Sequence, residues 1–397
     1  MDKRQVSVKR VIALIIITNL ITASLLIFAP IPFIGGKKLV SNEEYQFVKK
    51  FNKLISIKTI LEKKYVDKID EDKLVEGAVR GMVDGIGDPY TVFLNQKEFE
   101  ELLTHTRGSY AGVGLYVGEK DGKIIVVAPI EDTPAYRAGI QSGDYILKVN
   151  DQDVSAKEMD KAVSMMKGKE GTKVKLTIYR EGKGTLEFEL TRAIITIKTV
   201  KSDVIENDIG YIRITTFDEH TADAFNKALD NLLSKGIKGL IIDLRDNPGG
   251  LLDQCTQIAD RILGEGTIVY TIDNQGKREE WKSDSNKLNI PLVLLVNEGS
   301  ASASEILSGA VRDFKAGTLI GTKTFGKGLV QEIISLPNKE GLKVTIARYY
   351  TPSGECIQGK GIEPHIKLDL PQKDKIKELS YKEDIQIQKA IEVLRNK

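Results

Sequence analysis

Ile290-Pro-Leu-Val-Leu-Leu-Val296 runs into Asn297-Glu-Gly-Ser-Ala-Ser-Ala-Ser-Glu-Ile306, and this into Glu305-Ile-Leu-Ser-Gly-Ala-Val-Arg312. An unbroken apolar run, a small-residue turn and a helix-like stretch make a buried strand feeding a helix. The same alternation extends outward: strands at 209–215, 239–244 and 291–296 alternate with helices at 222–234, 252–263 and 304–312. That order predicts an α/β core with a largely parallel sheet, its sites at the carboxyl ends of the strands. A serine in the 297–306 turn then sits at a helix N-terminus, where free N–H groups and the helix dipole favour a developing negative charge.

Downstream, Phe325-Gly-Lys-Gly-Leu-Val-Gln331 puts Lys327 between glycines and Gln331 on a strand-like run, 329–336. Serine, lysine and glutamine together suggest a serine hydrolase with a lysine base. A hydroxyl is a poor nucleophile until a neighbour takes its proton, and lysine can do so only when neutral. Bringing a lysine of ordinary pKa, about 10.4, to half-neutral at pH 7 costs about 4.6 kcal/mol, which burial can supply. Leu319, Ile320, Phe325, Leu329 and Val330 provide apolar neighbours, and Gln331 can bond the amine without a carboxylate's charge. Two plainer readings stand beside this one. Ser300, Ser302 and Ser304 could serve only as helix caps. Gly321-Thr-Lys-Thr-Phe-Gly-Lys-Gly328 approaches a phosphate loop, but Gly328 replaces the metal-binding hydroxyl and a strand follows where a helix is needed. The three histidines, His105, His220 and His365, lie in no catalytic motif.

Taken together these segments closely resemble the carboxyl-terminal processing, or tail-specific, proteases. The resemblance implies Ser302, the middle serine of Ser-Ala-Ser-Ala-Ser-Glu, as nucleophile, Lys327 as base and Gln331 as the assisting residue. Upstream, Gly239-Leu-Ile-Ile-Asp-Leu-Arg-Asp-Asn-Pro-Gly-Gly-Leu-Leu252 resembles the family's strand-turn-helix that supplies an oxyanion donor. It implies a hole made of the Ala303 N–H and one N–H from the Gly249–Gly250 pair. By composition alone that pair reads as an ordinary turn. His365 stands where the family often has aspartate, in a loop away from the dyad.

Residues 108–193 change character, with short alternating strands and Gly/Asp turns. Tyr110-Ala-Gly-Val-Gly-Leu115 and the stretch from Pro134 to Asn150 resemble a PDZ domain. The resemblance implies that Gly112, Val113, Gly114 and Leu115 offer backbone N–H groups to a peptide's free C-terminal carboxylate while the peptide extends the sheet edge. A helix around 156–166 then lines the groove, with Val163 and Met166 as pocket or core residues and Lys167 just past its end.

Lys3, Arg4, Lys9 and Arg10 precede an uncharged apolar run from Val11 to Ile34. Such a run is long enough to cross a bilayer of about 30 Å. With no clean cleavage site it reads as an uncleaved transmembrane anchor, residues 1–10 cytoplasmic and the catalytic part outside. Residues 40–107 read as an amphipathic helical arm, and 372–397 as a charged amphipathic C-terminal helix. Both are candidates for packing or for a homodimer contact.

The chain of 397 residues exceeds one core, and Lys plus Arg (58) nearly balances Asp plus Glu (56), which argues against nucleic acid as partner. Cys255 and Cys356, far apart in sequence and outside any metal-ligand spacing, read as buried small residues, with a single disulfide between them as the alternative. No metal or cofactor is called for. The expected protein is a membrane-anchored serine endopeptidase acting on protein C-termini. The competing classes are a catalytically silent PDZ scaffold, which would lack part of the dyad, and a small-molecule amidase, which has no use for a carboxylate-binding module.

Overall fold

The computed structural model describes residues 8–28, 42–372, 374 and 379–396, except the side chains of 10, 23–28, 42–44 and 47. It divides into two units, Met1–Gly81 and Met82–Lys397.

The first unit holds α1 (Val8–Phe28), α2 (Asn42–Lys64) and most of α3 (Glu71–Asp84). Apolar side chains are exposed all round α1, among them Val11, Leu14, Ile15, Ile16, Leu20 and Ile21. Its polar threonines are satisfied within the helix: Thr18 Oγ1 donates to the Leu14 carbonyl at 2.8 Å and Thr22 Oγ1 to that of Thr18 at 2.7 Å. Among the described residues no helix is both long and apolar enough to cross a membrane. The expected anchor continues into side chains 23–28 and residues 29–34, which lie outside the description.

The second unit opens with a departure from the all-helical arm. Val92-Phe93-Leu94 is a strand, β1 (Val92–Leu94), paired antiparallel with residues 341–343. The short apolar segment takes its conformation from a distant partner, which helical periodicity could not show. Next comes α4 (Gln96–Arg107), begun by a capping box: the Glu98 N–H donates to Asn95 Oδ1 at 3.1 Å, and the Asn95 N–H to Glu98 Oε2 at 2.9 Å.

A small sheet domain follows, built from β2 (Ser109–Gly112), β3 (Leu115–Lys120), β4 (Lys123–Pro129), α5 (Pro134–Arg137), β5 (Tyr145–Val149), β6 (Gln152–Asp153), α6 (Met159–Met166), β7 (Lys173–Arg180), β8 (Gly184–Thr191) and β9 (Ala193–Thr196). Strands pair in the order β3-β4-β5-β7-β8, and β2 pairs with β9 to close the module at its two ends. Inward residues Ile124, Val126, Ile146, Val149, Leu176 and Ile178 form its core.

The remainder comprises β10 (Val200–Ile205), β11 (Ile209–Ile214), α7 (Thr221–Ser234), β12 (Gly239–Asp243), α8 (Leu252–Ile262), β13 (Gly266–Asp273), β14 (Arg278–Ser283), β15 (Leu292–Val296), α9 (Ala303–Asp313), β16 (Thr318–Gly321), β17 (Leu329–Ser335), β18 (Gly341–Tyr350), β19 (Ile366–Lys367) and α10 (Ile385–Arg395). One sheet runs β10-β11-β12-β15-β16-β19, parallel except for β10. Residues of α7, α8 and α9 pack with one set of its buried side chains, and those of α10 with another. Burial on both faces is why β12 and β15 read as unbroken apolar runs. A second, antiparallel sheet, β1-β18-β13-β14 with β17 added to β18, went unforeseen at 266–273 and 278–283. The C-terminal helix is shorter than the expected 372–397. Asp384 starts it by accepting from the Gln386 and Ile387 N–H groups, while 373, 375–378 and 397 lie outside the description.

Candidate active site

Ser302 is the last residue before α9 and holds φ 54, a region costly for a residue with a Cβ. Four hydrogen bonds hold it. Its N–H donates to Glu305 Oε2 at 3.0 Å, and its carbonyl accepts from the Glu305 N–H at 2.8 Å, the Ile306 N–H at 2.9 Å and the Tyr349 hydroxyl at 3.1 Å. The flanking serines are structural. Ser300 and Ser304 are fully buried, and their hydroxyls donate to the Leu244 and Asn247 carbonyls at 2.8 and 2.9 Å. Ser302 alone of the three is half-exposed.

Lys327 reaches the same place through a residue that motif reading quoted but gave no role. Glu305, fully buried, accepts four hydrogen bonds: Ser302 N–H (3.0 Å) and Lys327 N–H (2.8 Å) on Oε2, Thr324 Oγ1 (2.6 Å) and Gly326 N–H (2.7 Å) on Oε1. One carboxylate oxygen thus joins the backbones of the two residues. The signal was present as Ser302-x-x-Glu305, a capping-box spacing. The glycines beside Lys327 admit close backbone: a Cβ would lie 2.9 Å from Gly361 N at Gly326 and 2.7 Å from Gln358 N at Gly328.

The Lys327 amine is half-buried and held below the ordinary lysine range, by burial first and then by Lys343, with Asp88 and Glu305 pulling the other way. Its Nζ lies 4.8 Å from the centroid of the Tyr90 ring. Gln331 lies on β17, its Nε2 3.4 Å from Thr345 Oγ1, which in turn donates to Asp88 Oδ2 at 2.6 Å.

The glycine pair lies against the serine turn. At Gly249 (φ 99) a Cβ would stand 2.9 Å from Ala303 N, and at Gly250 (φ 145) it would strike the Phe217 carbonyl oxygen at 2.1 Å. Asn247, fully buried, ties the two loops: its Oδ1 accepts from Gly249 N–H at 2.9 Å and its carbonyl accepts from Ala301 N–H at 3.0 Å. Gly249's N–H is therefore committed inside the protein. Below, Cys255 Sγ contacts the Ala303 carbonyl at 3.0 Å, and burial pushes its thiol far up. Cys255 and the half-buried Cys356 are both free. His365 Nδ1 accepts from the Leu319 N–H at 2.9 Å, a loop-anchoring contact.

In the small sheet domain the Val113 carbonyl accepts from Ala135 N–H and that of Gly114 from Ile130 N–H, each at 2.9 Å. In planar trans peptides the Gly114 and Leu115 N–H groups then point the opposite way. Val113 and Met166 are core side chains, 2% and 5% exposed, and Val163 is half-buried against them. Gly112 is also buried, and Lys167 lays its amine 5.2 Å from the Tyr110 ring centroid.

Comparison with known proteins places these parts. Residues 208–368 match peptidase family S41, 125–180 match a PDZ domain and 35–98 match the N-terminal domain of the activating protease CtpB. Carboxy-terminal processing protease CtpA of Bacillus subtilis is 38% identical over 361 residues, spanning 90% of this chain and 77% of that protein. CtpB of the same organism is 35% identical over 345 residues, 85% of this chain and 72% of that one. Among solved structures, the photosystem II D1 C-terminal processing protease is 31% identical with a TM-score of 0.48, covering 83% of this chain and 94% of its own. The chain belongs to the carboxy-terminal processing proteases of peptidase family S41, serine-type peptidases carrying a PDZ domain.

Proposed function

We propose that this protease cuts peptide bonds with Ser302 as nucleophile, Lys327 as base and Gln331 assisting, on protein tails presented by its PDZ domain. The observation that carries the reading is the shared Glu305 carboxylate, which brings the Ser302 and Lys327 backbones to one oxygen. Neutral Lys327 takes the Ser302 hydroxyl proton as Oγ bonds to the scissile carbonyl carbon, and the carbonyl electron pair moves to oxygen. That oxyanion is received by the Ala303 N–H, one of the groups a helix leaves unpaired, and by the Gly250 N–H, since Gly249's is taken by Asn247. Collapse expels the amine, which takes its proton from the Lys327 ammonium. Water, activated by Lys327 in turn, then frees the acyl group and restores Ser302.

The anchor remains part of the reading. It rests on the uncharged run 11–34, its basic flank and the helix-satisfied Thr18 and Thr22. Peptide C-termini dock at Gly114 and Leu115, whose N–H groups point away from Ala135 and Ile130 respectively. Exposed Val48, Leu54, Ile55 and Ile60 on α2 suit a homodimer contact. Turnover of an unstructured protein by Ser302→Ala and Lys327→Ala variants, with a thermal melt, tests the dyad. Loss of at least about a thousandfold in each with an unchanged melt is expected; full activity in either overturns it. Fractionation of cells with N-terminal sequencing tests the anchor, and a mature N-terminus near Ala29 would refute it.

A further inference from the structure

The base is contacted by a segment that lies far from it in sequence. Asp88-Pro-Tyr-Thr91 turns into β1, whose register on β18 is fixed by Val92↔Lys343. On that side of β18, β1 covers 341–343 and β13 covers 347–350, leaving Thr345 between the two strands. The turn fills the opening. Thr345 N–H donates to Thr91 Oγ1 at 3.0 Å, Asp88 Oδ2 accepts from both Thr91 Oγ1 and Thr345 Oγ1 at 2.6 Å, and Asp88 Oδ1 accepts from Tyr90 N–H at 3.1 Å. On the other side of β18, Gln331 is the register partner of Thr345.

We propose that this turn is a positioning element for the catalytic base: the Tyr90 ring seats the Lys327 amine, and Asp88, through Thr345, sets the direction of the Gln331 amide. The inference rests on Lys327 being the base. An aromatic face attracts an ammonium and not a neutral amine, so Tyr90 stabilises the charged lysine that forms when Ser302 gives up its proton. Thr345's single hydroxyl hydrogen goes to Asp88, so toward Gln331 the hydroxyl can only accept. That fixes Nε2 toward Thr345 and leaves Oε1, an acceptor, as the end for an amine. The charged groups facing Lys327 are Asp88 on this turn, Lys343 on β18 and Glu305 on α9. Of these, Glu305 belongs to the serine turn and its helix, whereas Asp88 and Lys343 face the amine from outside both loops of the dyad.

The test is the pH dependence of kcat and KM for the full chain with Tyr90→Leu, Tyr90→Phe, Lys327→Ala, Thr345→Val and Gln331→Ala. Activity needs neutral Lys327, so it falls as pH drops through the lysine's pKa. Removing the ring favours the neutral form and moves this acid limb to lower pH. Tyr90→Leu is expected to shift it down by about half to one pH unit and to cut kcat about tenfold with KM little changed, while Tyr90→Phe keeps the native profile. Thr345→Val is expected to lower kcat to about the level of Gln331→Ala, and the double variant to fall no further. An unshifted limb with native kcat in Tyr90→Leu, a loss confined to KM, or additive losses for Thr345→Val and Gln331→Ala overturns the proposal. Should Tyr90→Leu not fold, the Thr345/Gln331 cycle decides. If Lys327→Ala itself stays active, the base assignment has failed; if Lys327→Ala is dead and Tyr90→Leu native, only this inference has.

Discussion

Two buried carboxylate networks lie in the catalytic core, and they are satisfied in opposite ways. Asp243, at the end of β12, is met by charge: Arg245 donates to both its oxygens at 2.9 and 2.6 Å, and Tyr211 adds its hydroxyl at 2.7 Å. The same guanidinium reaches Asp384 at 2.8 Å and Gln386 at 2.7 Å, so the network docks α10 on the sheet. Glu305, equally buried, is met only by neutral donors, two of them the backbone amides of Ser302 and Lys327. Both solutions meet the requirement that a buried charge be hydrogen-bonded. They differ in what they do to a neighbouring amine. Four neutral donors satisfy Glu305 without drawing the Lys327 ammonium onto it, and the lysine stays below its ordinary range. Charge neutralisation suits a joint, whereas neutral donors suit the proposed site, in which Lys327 acts only when neutral.

The sharpest way to break this contrast is Glu305→Gln. An amide keeps the shape but puts an N–H against groups that are themselves donors, so some of the four bonds are lost at about 1–3 kcal/mol each. Turnover should fall at least about a hundredfold, with a lowered melting temperature. Native turnover would mean the carboxylate is not what holds the dyad. Arg245→Met should do the reverse: about 3–5 kcal/mol of stability is lost, because two carboxylates remain buried without their partner, while kcat in the folded fraction changes by less than about threefold. Chemical denaturation beside single-turnover assays reads both numbers. A kcat loss as deep as that of Glu305→Gln would merge the two networks into one.

Acid sharpens the contrast further. Burial would hold the Asp243 carboxyl up, but the Arg245 guanidinium overrides it and keeps that carboxyl below the usual range. A depressed carboxyl contributes stability that is present above the unfolded value, near 3.8, and lost as pH falls through the folded one. Activity should therefore be lost first, as Lys327 protonates, and the fold only in strong acid. A melting temperature that tracks the activity profile between pH 9 and about pH 5 would contradict this.

The smallest expected effect lies in the PDZ module. Amidating a substrate's C-terminus should raise KM several-fold, because the Gly114 and Leu115 N–H groups would lose the carboxylate they are proposed to bind. Equal kinetics for both forms would remove the carboxylate from the account. Amidation is cleaner than substituting Gly114, where φ is 82 and a Cβ would lie 2.3 Å from Thr133.

What could be seen in the chain alone was local. An unbroken apolar run gave β15, the alternation of strand-like and helix-like stretches gave β12, α7, α8 and α9, and short motifs brought Ser302, Lys327 and the glycine pair forward, because side-chain pattern and turn chemistry act over a few residues. Glu305 stood in view at capping-box spacing, but its hold on the Lys327 loop did not. Tertiary structure decided the rest. The antiparallel sheet unites β1 with β18, Asp88 bonds Thr345 across 257 positions and Arg245 bonds Asp384 across 139. That Asn247 takes the Gly249 N–H, while the sequence left the two glycines equivalent, showed only in the folded turn. Such pairings are set by which surfaces meet when the core closes, and a side chain's nearest sequence neighbours carry no record of that.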